Sequence, residues 1–308
     1  MNVLSLFDGM SCGQIALERV GVKVENYFAS EIDKHAIKVA KHNYPNTIHI
    51  GDVTKVKYEN GVLYTEFGEY QVKIDLVIGG SPCQDFSVAK TMDVTSGGIS
   101  SGLGGLKSSL FYHYLRILKE VQAVNKQVKW LLENVKMKKS SKEELDRYLE
   151  KEGVMINSNL VSYQNRPRYY WSNIEFEIPQ DREVSFQDYK EQGDSLLEYK
   201  LKRTKSRIHM WSNGAGRNAA NYGCSNVTNS HKIQCLTTKQ DRCPNSGLVE
   251  YEDFCRYLTR TELEQAQTVP VGYTECLSYN QACAVLGNGW TVDVIAHIFK
   301  NLVDVDYQ

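Results

Sequence analysis

The sequence predicts an α/β fold: a doubly wound, mostly parallel sheet with a smaller domain inserted into it. Three observations carry the prediction. Short apolar runs alternate with segments of helical period through the first half of the chain. That alternation stops after Trp171, where Asn, Ser, Gly and Lys become frequent. Helical patterning then returns at the C-terminus.

The elements follow in order. Residues 3–7 form a first apolar strand that ends at the turn Asp8-Gly9. A helix follows, with Ile15, Ala16 and Val20 on one face, and stops near Gly21. Residues 26–32 read as strand two, 33–43 as a helix and 47–50 as strand three. Between residues 58 and 72, Asn60-Gly61 separates two alternating runs and predicts an inserted hairpin. Residues 74–78 are a compact β-branched strand ending in Gly79-Gly80, residues 110–121 a helix, and 128–132 strand five. Thr259 and Glu262 have the spacing of a capping box, starting a helix over 259–266. The last helix, 291–302, is amphipathic, with Val292, Ile295, Ile298 and Phe299 on one side. Both chain ends therefore build one domain, residues 1–175 plus 280–308, and residues 176–279 form the insertion.

Composition narrows the class. The chain has 308 residues, with 36 Lys+Arg against 37 Asp+Glu, so any nucleic-acid surface must be locally basic. The N-terminus lacks the basic region of a signal peptide, and no continuous apolar run approaches the roughly 18–20 residues of a membrane span. A cytoplasmic protein without membrane contact is expected. The eight cysteines form no CxxC pair, which suits a reducing compartment. Cys224, His231, Cys235 and Cys243 fit no zinc spacing, and no metal is expected.

In an open parallel sheet, ligands bind at the carboxyl ends of the strands. Phe7, Asp8, Gly9 and Gly13 follow strand one, and glycine lets backbone approach a ligand closely. Glu31 follows strand two and can accept from ribose hydroxyls. Asp52 follows strand three and can accept from an exocyclic amine. Ser81-Pro82-Cys83 places a thiol after strand four, with a long glycine-bearing loop beyond it suited to closing over a substrate. Glu133 ends strand five, and Gln164-Asn165-Arg166-Pro167-Arg168 sets two guanidiniums on one side of an extended segment.

Taken together, these segments resemble the cytosine-5 DNA methyltransferases. Leu6-Phe7-Asp8-Gly9 resembles the family's first motif, Ser81-Pro82-Cys83-Gln84 its catalytic motif, and Glu133-Asn134-Val135 and Gln164-Asn165-Arg166-Pro167-Arg168 its other active-site motifs. Arg256-Tyr257-Leu258-Thr259 with Glu262 and Gln267, and Gly287-Asn288-Gly289-Trp290-Thr291-Val292, resemble its last two, in the family's order. The thinned first loop, Ser11-Cys12-Gly13, and the Gly289-Trp290 pair are closest to the eukaryotic de novo branch. The resemblance implies a Rossmann-like, S-adenosyl-L-methionine-dependent catalytic domain, a target-recognition insertion, and double-stranded DNA as partner. It implies catalytic roles for Cys83, Glu133, Arg166 and Arg168. Cys83 would attack carbon 6 of a flipped cytosine, Glu133 would hold ring N3 and the amine, and the arginines would bind the base carbonyl and adjoining phosphate. Cofactor contacts would come from Phe7, Asp8, Gly9, Gly13, Glu31, Ile32, Asp52, Val53, Pro82, Leu110, Asn288 and Trp290. Substrate contacts near the base would come from Gln84, Ser87 and Asn134.

In the insertion, Lys200, Lys202, Arg203, Lys205 and Arg207 lie in a run without an acidic residue, followed by Asn213 between Trp211 and Gly214. The run is either a solvated face or a phosphate-positioning arm, with Asn213, Thr238 and Arg242 as candidates for reading base edges. Two rival functions remain within the fold: a relative acting on transfer RNA, which typically has Pro where this chain has Ser81, and an inactive binding regulator.

Overall fold

The computed structural model describes residues 1–82, 109–201, 225–240, 244–251 and 254–302. The chain divides into two compact units: residues 1–156, 167–178 and 296–308 form the first, and 157–166 with 179–295 the second. The boundaries differ from the expected 1–175 plus 280–308 and 176–279. Residues 157–166 and 280–295 contact the second unit because their polar side chains hydrogen-bond within it, a long-range choice that local patterning does not encode.

The first unit is built on a seven-stranded sheet. Its strands are β1 (Asn2–Leu6), β2 (Asn26–Ser30), β3 (Ile48–His49), β7 (Leu76–Gly80), β8 (Lys129–Val135), β9 (Val154–Asn157) and β10 (Pro167–Ser172), in the order β3-β2-β1-β7-β8-β10-β9. β1, β2, β3, β7 and β8 pair parallel, and β10 pairs antiparallel to β8. Burial on both faces explains why β1 and β7 read as nearly continuous apolar runs. The chain steps outward from β1 to β3 and then returns to β7 on β1's other side. The β1/β7 edge is therefore the topological switch point, where ligands bind in such sheets. Register aligns the carboxyl ends: Leu6 pairs with Ser30 and Gly79, and Gly80 with Glu133.

Helices α1 (Cys12–Arg19), α2 (Lys34–Asn43), α3 (Ser109–Val124) and α4 (Lys139–Leu149) accompany the sheet. Asp33 caps α2 by accepting from the His35 and Ala36 amides. α3 buries Phe111, Tyr114, Leu115, Leu118 and Val121 at helical spacing into the main core. The expected hairpin is instead a three-stranded meander of β4 (Lys57–Glu59), β5 (Val62–Thr65) and β6 (Gly68–Gln71). Asn60 and Gly61 take the positive φ values of its first turn. The second turn, at Glu66-Phe67, has no such sequence signal.

The second unit has little regular structure. β11 (Lys200–Leu201), β13 (Cys255–Arg256) and β12 (Val249–Glu250) form a small antiparallel sheet. Helix α5 (Arg260–Ala266) begins with the expected capping box, and α6 (Tyr279–Asn288) begins with a second one, Ser278 with Gln281. A buried ion pair sits beneath α5: Arg256 donates from both terminal nitrogens to Glu262, each at 2.8 Å. Glu262 also accepts from the Thr259 and Glu191 amides, so the buried charge is hydrogen-bonded throughout. The last helix is α7 (Val292–Phe299). Tyr279–Leu302 is long and apolar enough to cross a membrane by composition, but 72% of its apolar 18-residue stretch is buried, as in the core helices of a globular protein.

Candidate active site

Two acidic side chains organise the carboxyl ends of β1 and β2. Glu31 Oε1 accepts from the amides of Ile32 and Asp33 at 2.7 and 2.8 Å, and Oε2 accepts from the Gly9 amide at 2.8 Å. The carboxylate is thus fixed by three N–H groups before any ligand arrives. Asp8, assigned to the cofactor from sequence, faces inward instead. It accepts hydroxyl hydrogen bonds from Ser5 and Tyr27 on Oδ1 and from Ser11 on Oδ2, at 2.6, 2.7 and 2.5 Å. Burial pushes its carboxyl up to about 6. Its role is to hold the turn, in which Phe7, Gly9 and Ser11 all have positive φ.

The glycines divide in the same way. A side chain at Gly9 would meet open space, so Gly9 can approach a ligand. A Cβ at Gly13 would stand 2.4 Å from Ile78 Cδ1 and 2.8 Å from the Tyr27 hydroxyl. Gly13, expected on the cofactor, lets α1 pack closely on the sheet.

Along the β2–β3 edge, Ile32 is 75% exposed and available to a ligand. Asp52 accepts from the Thr54 amide at 2.9 Å, and Ser30 donates to the Gly51 carbonyl. The Val53 side chain, expected on the cofactor, is buried in the core. Phe7 and Leu110 are partly buried against the same core.

At the ends of β7 and β8 the geometry is tight. The Arg168 Nε donates to Glu133 Oε1 at 3.0 Å, with both side chains largely buried. The antiparallel register, Tyr170 opposite Glu133, brings Arg168 beside it. Asn134, read as a substrate contact, is 1% exposed; its amide donates to Ser81 Oγ at 3.1 Å and its carbonyl accepts from the Val135 amide. It tethers the Ser81-Pro82 turn that leads into Cys83. Cys83, Gln84 and Ser87 lie outside the described residues, as do Lys202, Arg203, Lys205, Arg207, Asn213 and Arg242.

In the second unit, Arg166, expected at the base, has its guanidinium held by protein carbonyls. It is 3% exposed, and its guanidinium donates to the carbonyls of Leu236, Gly287 and Gly289 at 3.1, 3.1 and 2.8 Å and to Cys235 Sγ at 3.4 Å. Gln164 and Gln267 join the same buried network. Gln164 donates to Gln267, Gln267 donates to the Leu286 and Gly289 carbonyls, and Thr291 donates to Gln267. Three sequence motifs far apart in the chain are thereby knitted into one polar core. Asn288 is exposed and Trp290 partly buried, while Thr238 is exposed. Lys200 is also exposed and lies over the Phe254 ring at 5.0 Å. Among the described residues no group of His, Cys, Asp or Glu is placed to hold a metal.

The sequence model of C-5 cytosine-specific DNA methylases matches residues 1–186. This chain belongs to that family. Among curated relatives, an orphan methyltransferase of Bacillus phage rho11s is 39% identical over 124 residues, covering 40% of this chain and 21% of that protein. A DNA (cytosine-5)-methyltransferase, DRM1A, of Oryza sativa subsp. japonica is 35% identical over 130 residues, covering 40% and 25%. The chain thus matches about a quarter of the length of these relatives. Among solved structures, the Entamoeba histolytica methyltransferase EhMeth superposes with a TM-score of 0.72 at 16% identity, covering 99% of this chain and 98% of that one. The S. pombe Dnmt2 methyltransferase gives 0.70 at 16% identity over the whole of both chains. The fold is that of the S-adenosylmethionine-dependent methyltransferases.

Proposed function

We propose that this chain transfers a methyl group from S-adenosyl-L-methionine to carbon 5 of cytosine in double-stranded DNA, with Cys83 as nucleophile. The observation that carries the reading is the Glu133–Arg168 pair. It stands level with Gly80, three residues before the cysteine, in a member of this family.

The chain's residues fit the cofactor. Glu31 is a pre-fixed acceptor for ribose hydroxyls, the side-chain position at Gly9 is open space, and Ile32 offers an apolar surface. Bound there, the cofactor supplies an electrophilic methyl on a sulfonium. Carbon 5 of cytosine is too weakly nucleophilic to take it unaided. Attack of the Cys83 thiolate on carbon 6 forms a C–S bond and turns carbon 5 into an enamine carbon, which takes the methyl. Loss of the carbon 5 proton and departure of the thiolate then restore the ring. Glu133 holds ring N3 and the exocyclic amine, a contact that strengthens as charge develops on N3. Arg168 fixes the Glu133 carboxyl in place and presents positive charge toward the base carbonyl. The target must leave the stack, at a cost of a few kcal/mol. Lys202, Arg203, Lys205 and Arg207 contact phosphates, and Asn213, Thr238 and Arg242 contact base edges; the exposure of Thr238 supports the last assignment.

Bisulfite sequencing of DNA from cells expressing the chain identifies the target. A duplex carrying 5-fluorocytosine there should form a covalent adduct in the presence of cofactor, absent in Cys83→Ala. An adduct that survives Cys83→Ala would overturn the mechanism. Methyl transfer to transfer RNA but not duplex DNA would move the chain to the RNA reading, and no transfer to either would make it a binding protein.

A further inference from the structure

The meander β4–β6 is an insertion between β3 and β7, and its second turn returns to the cofactor edge of the sheet. A Cβ built on Gly51 would lie 2.5 Å from Glu66 Oε2 and 3.0 Å from Phe67 Cε2, so both side chains rest directly on that residue. Gly51 has φ of +79°, and immediately precedes Asp52. The Asp52 amide donates to Glu66 Oε2 at 3.3 Å, and Lys55 pairs with the other Glu66 oxygen. The turn holding Asp52 is therefore braced by a side chain from the insertion.

Phe67 is 66% exposed although the meander already buries Tyr58 and Leu63. Tyr70 packs edge-on against Phe28 of β2, anchoring the meander there. Phe67 adds nothing to either contact. It and Ile32, at 75%, are two large apolar side chains held in water at the carboxyl ends of the adjacent strands β2 and β3. Covering both with one flat apolar ligand would remove that surface from water.

We infer that the meander completes the adenosine-binding edge of the proposed cofactor site: Phe67 is an aromatic wall against the adenine, and Glu66 positions the Asp52 turn. The inference rests on the cofactor reading above. Phe67 Cε2 lies against Gly51, the residue before the acid expected to accept from the exocyclic amine, while most of the side chain is in solvent. An aromatic face there discriminates a purine from a smaller or non-aromatic group, because ring stacking adds to area burial.

Calorimetry on the full chain separates the outcomes. Wild type should bind both S-adenosylhomocysteine and adenosine. Phe67→Ala should weaken both by the same factor, about three- to tenfold, and Phe67→Tyr should restore them. The denaturation midpoint and DNA affinity of Phe67→Ala should stay at wild-type values, since the residue is outside the core. Glu66→Ala should raise the KM for the cofactor and leave kcat unchanged. Unchanged affinity in Phe67→Ala, or weakening that is matched by a lowered midpoint, would overturn the inference while leaving the cofactor reading intact. Failure of wild type to bind either ligand would overturn both.

Discussion

Arg166 offers the sharpest test of structure against motif. Its position in the active-site motif assigns it to the base or the adjoining phosphate, whereas its guanidinium is buried and donates to three backbone carbonyls. Removing it in Arg166→Ala leaves those carbonyls without their donor. A hydrogen bond to a charged group contributes about 1.5–3 kcal/mol. Three such bonds from one guanidinium are not additive, and the vacated space lets water reach some of the carbonyls. The expected loss is about 3–5 kcal/mol, from about 1–3 kcal/mol for each buried carbonyl left unsatisfied, reduced where water reaches it. That is a large fraction of a typical total of 5–15 kcal/mol. Arg166→Lys should recover only a part, since an ammonium cannot span carbonyls on Leu236, Gly287 and Gly289 at once. A chain of two compact units need not unfold in one step, so the assay is peptide-resolved amide hydrogen exchange alongside urea denaturation. Protection should fall around residues 233–237 and 285–291. Unchanged protection and midpoint, combined with loss of methyl transfer, would show that Arg166 acts on the substrate and refute the structural assignment.

Three further outcomes are expected. Glu31→Ala should weaken cofactor binding by about 1–3 kcal/mol in calorimetry, since the ribose hydroxyls lose their pre-fixed acceptor; equal affinity would displace the ribose from β2. Glu133→Gln should lower kcat by about 10²-fold or more while cofactor affinity holds, because the amide cannot supply the proton that stabilises developing charge on N3; a wild-type rate would remove Glu133 from the chemistry. The Asp8 carboxyl is raised by burial from 3.8 to about 6, so it is harder to ionise folded than unfolded. Its stabilising contribution is complete below about pH 4 and is lost as pH rises through about 6, on the order of 2 kcal/mol after allowing for partial exposure. Denaturation midpoints measured across that window should flatten in Asp8→Asn, and an unaltered slope would count against the assignment.

The spatial order of the strands is a tertiary fact, whereas local sequence pattern carries the layers, the alternation of strand and helix and the places where chemistry collects. Those features are local: apolar runs of strand length, helical periodicity, a capping box at Thr259 and Glu262, and acidic or thiol residues at strand ends. The likeness of six ordered motifs fixed the family. Local pattern could not say which motif residues face a ligand and which face the protein. Asp8, Val53, Asn134 and Arg166 carry the right side chains at the right spacing, yet each is engaged inside the fold. Their partners are dozens of residues away, as with Asn134 and Ser81 or Arg166 and Gly289. The unit boundaries were hidden for the same reason, whereas the second turn of the meander is local but carries no turn dipeptide at Glu66-Phe67. A hydrogen bond between distant segments leaves no period in either one, and only the tertiary arrangement decides which of two polar groups turns inward and which stays at the surface.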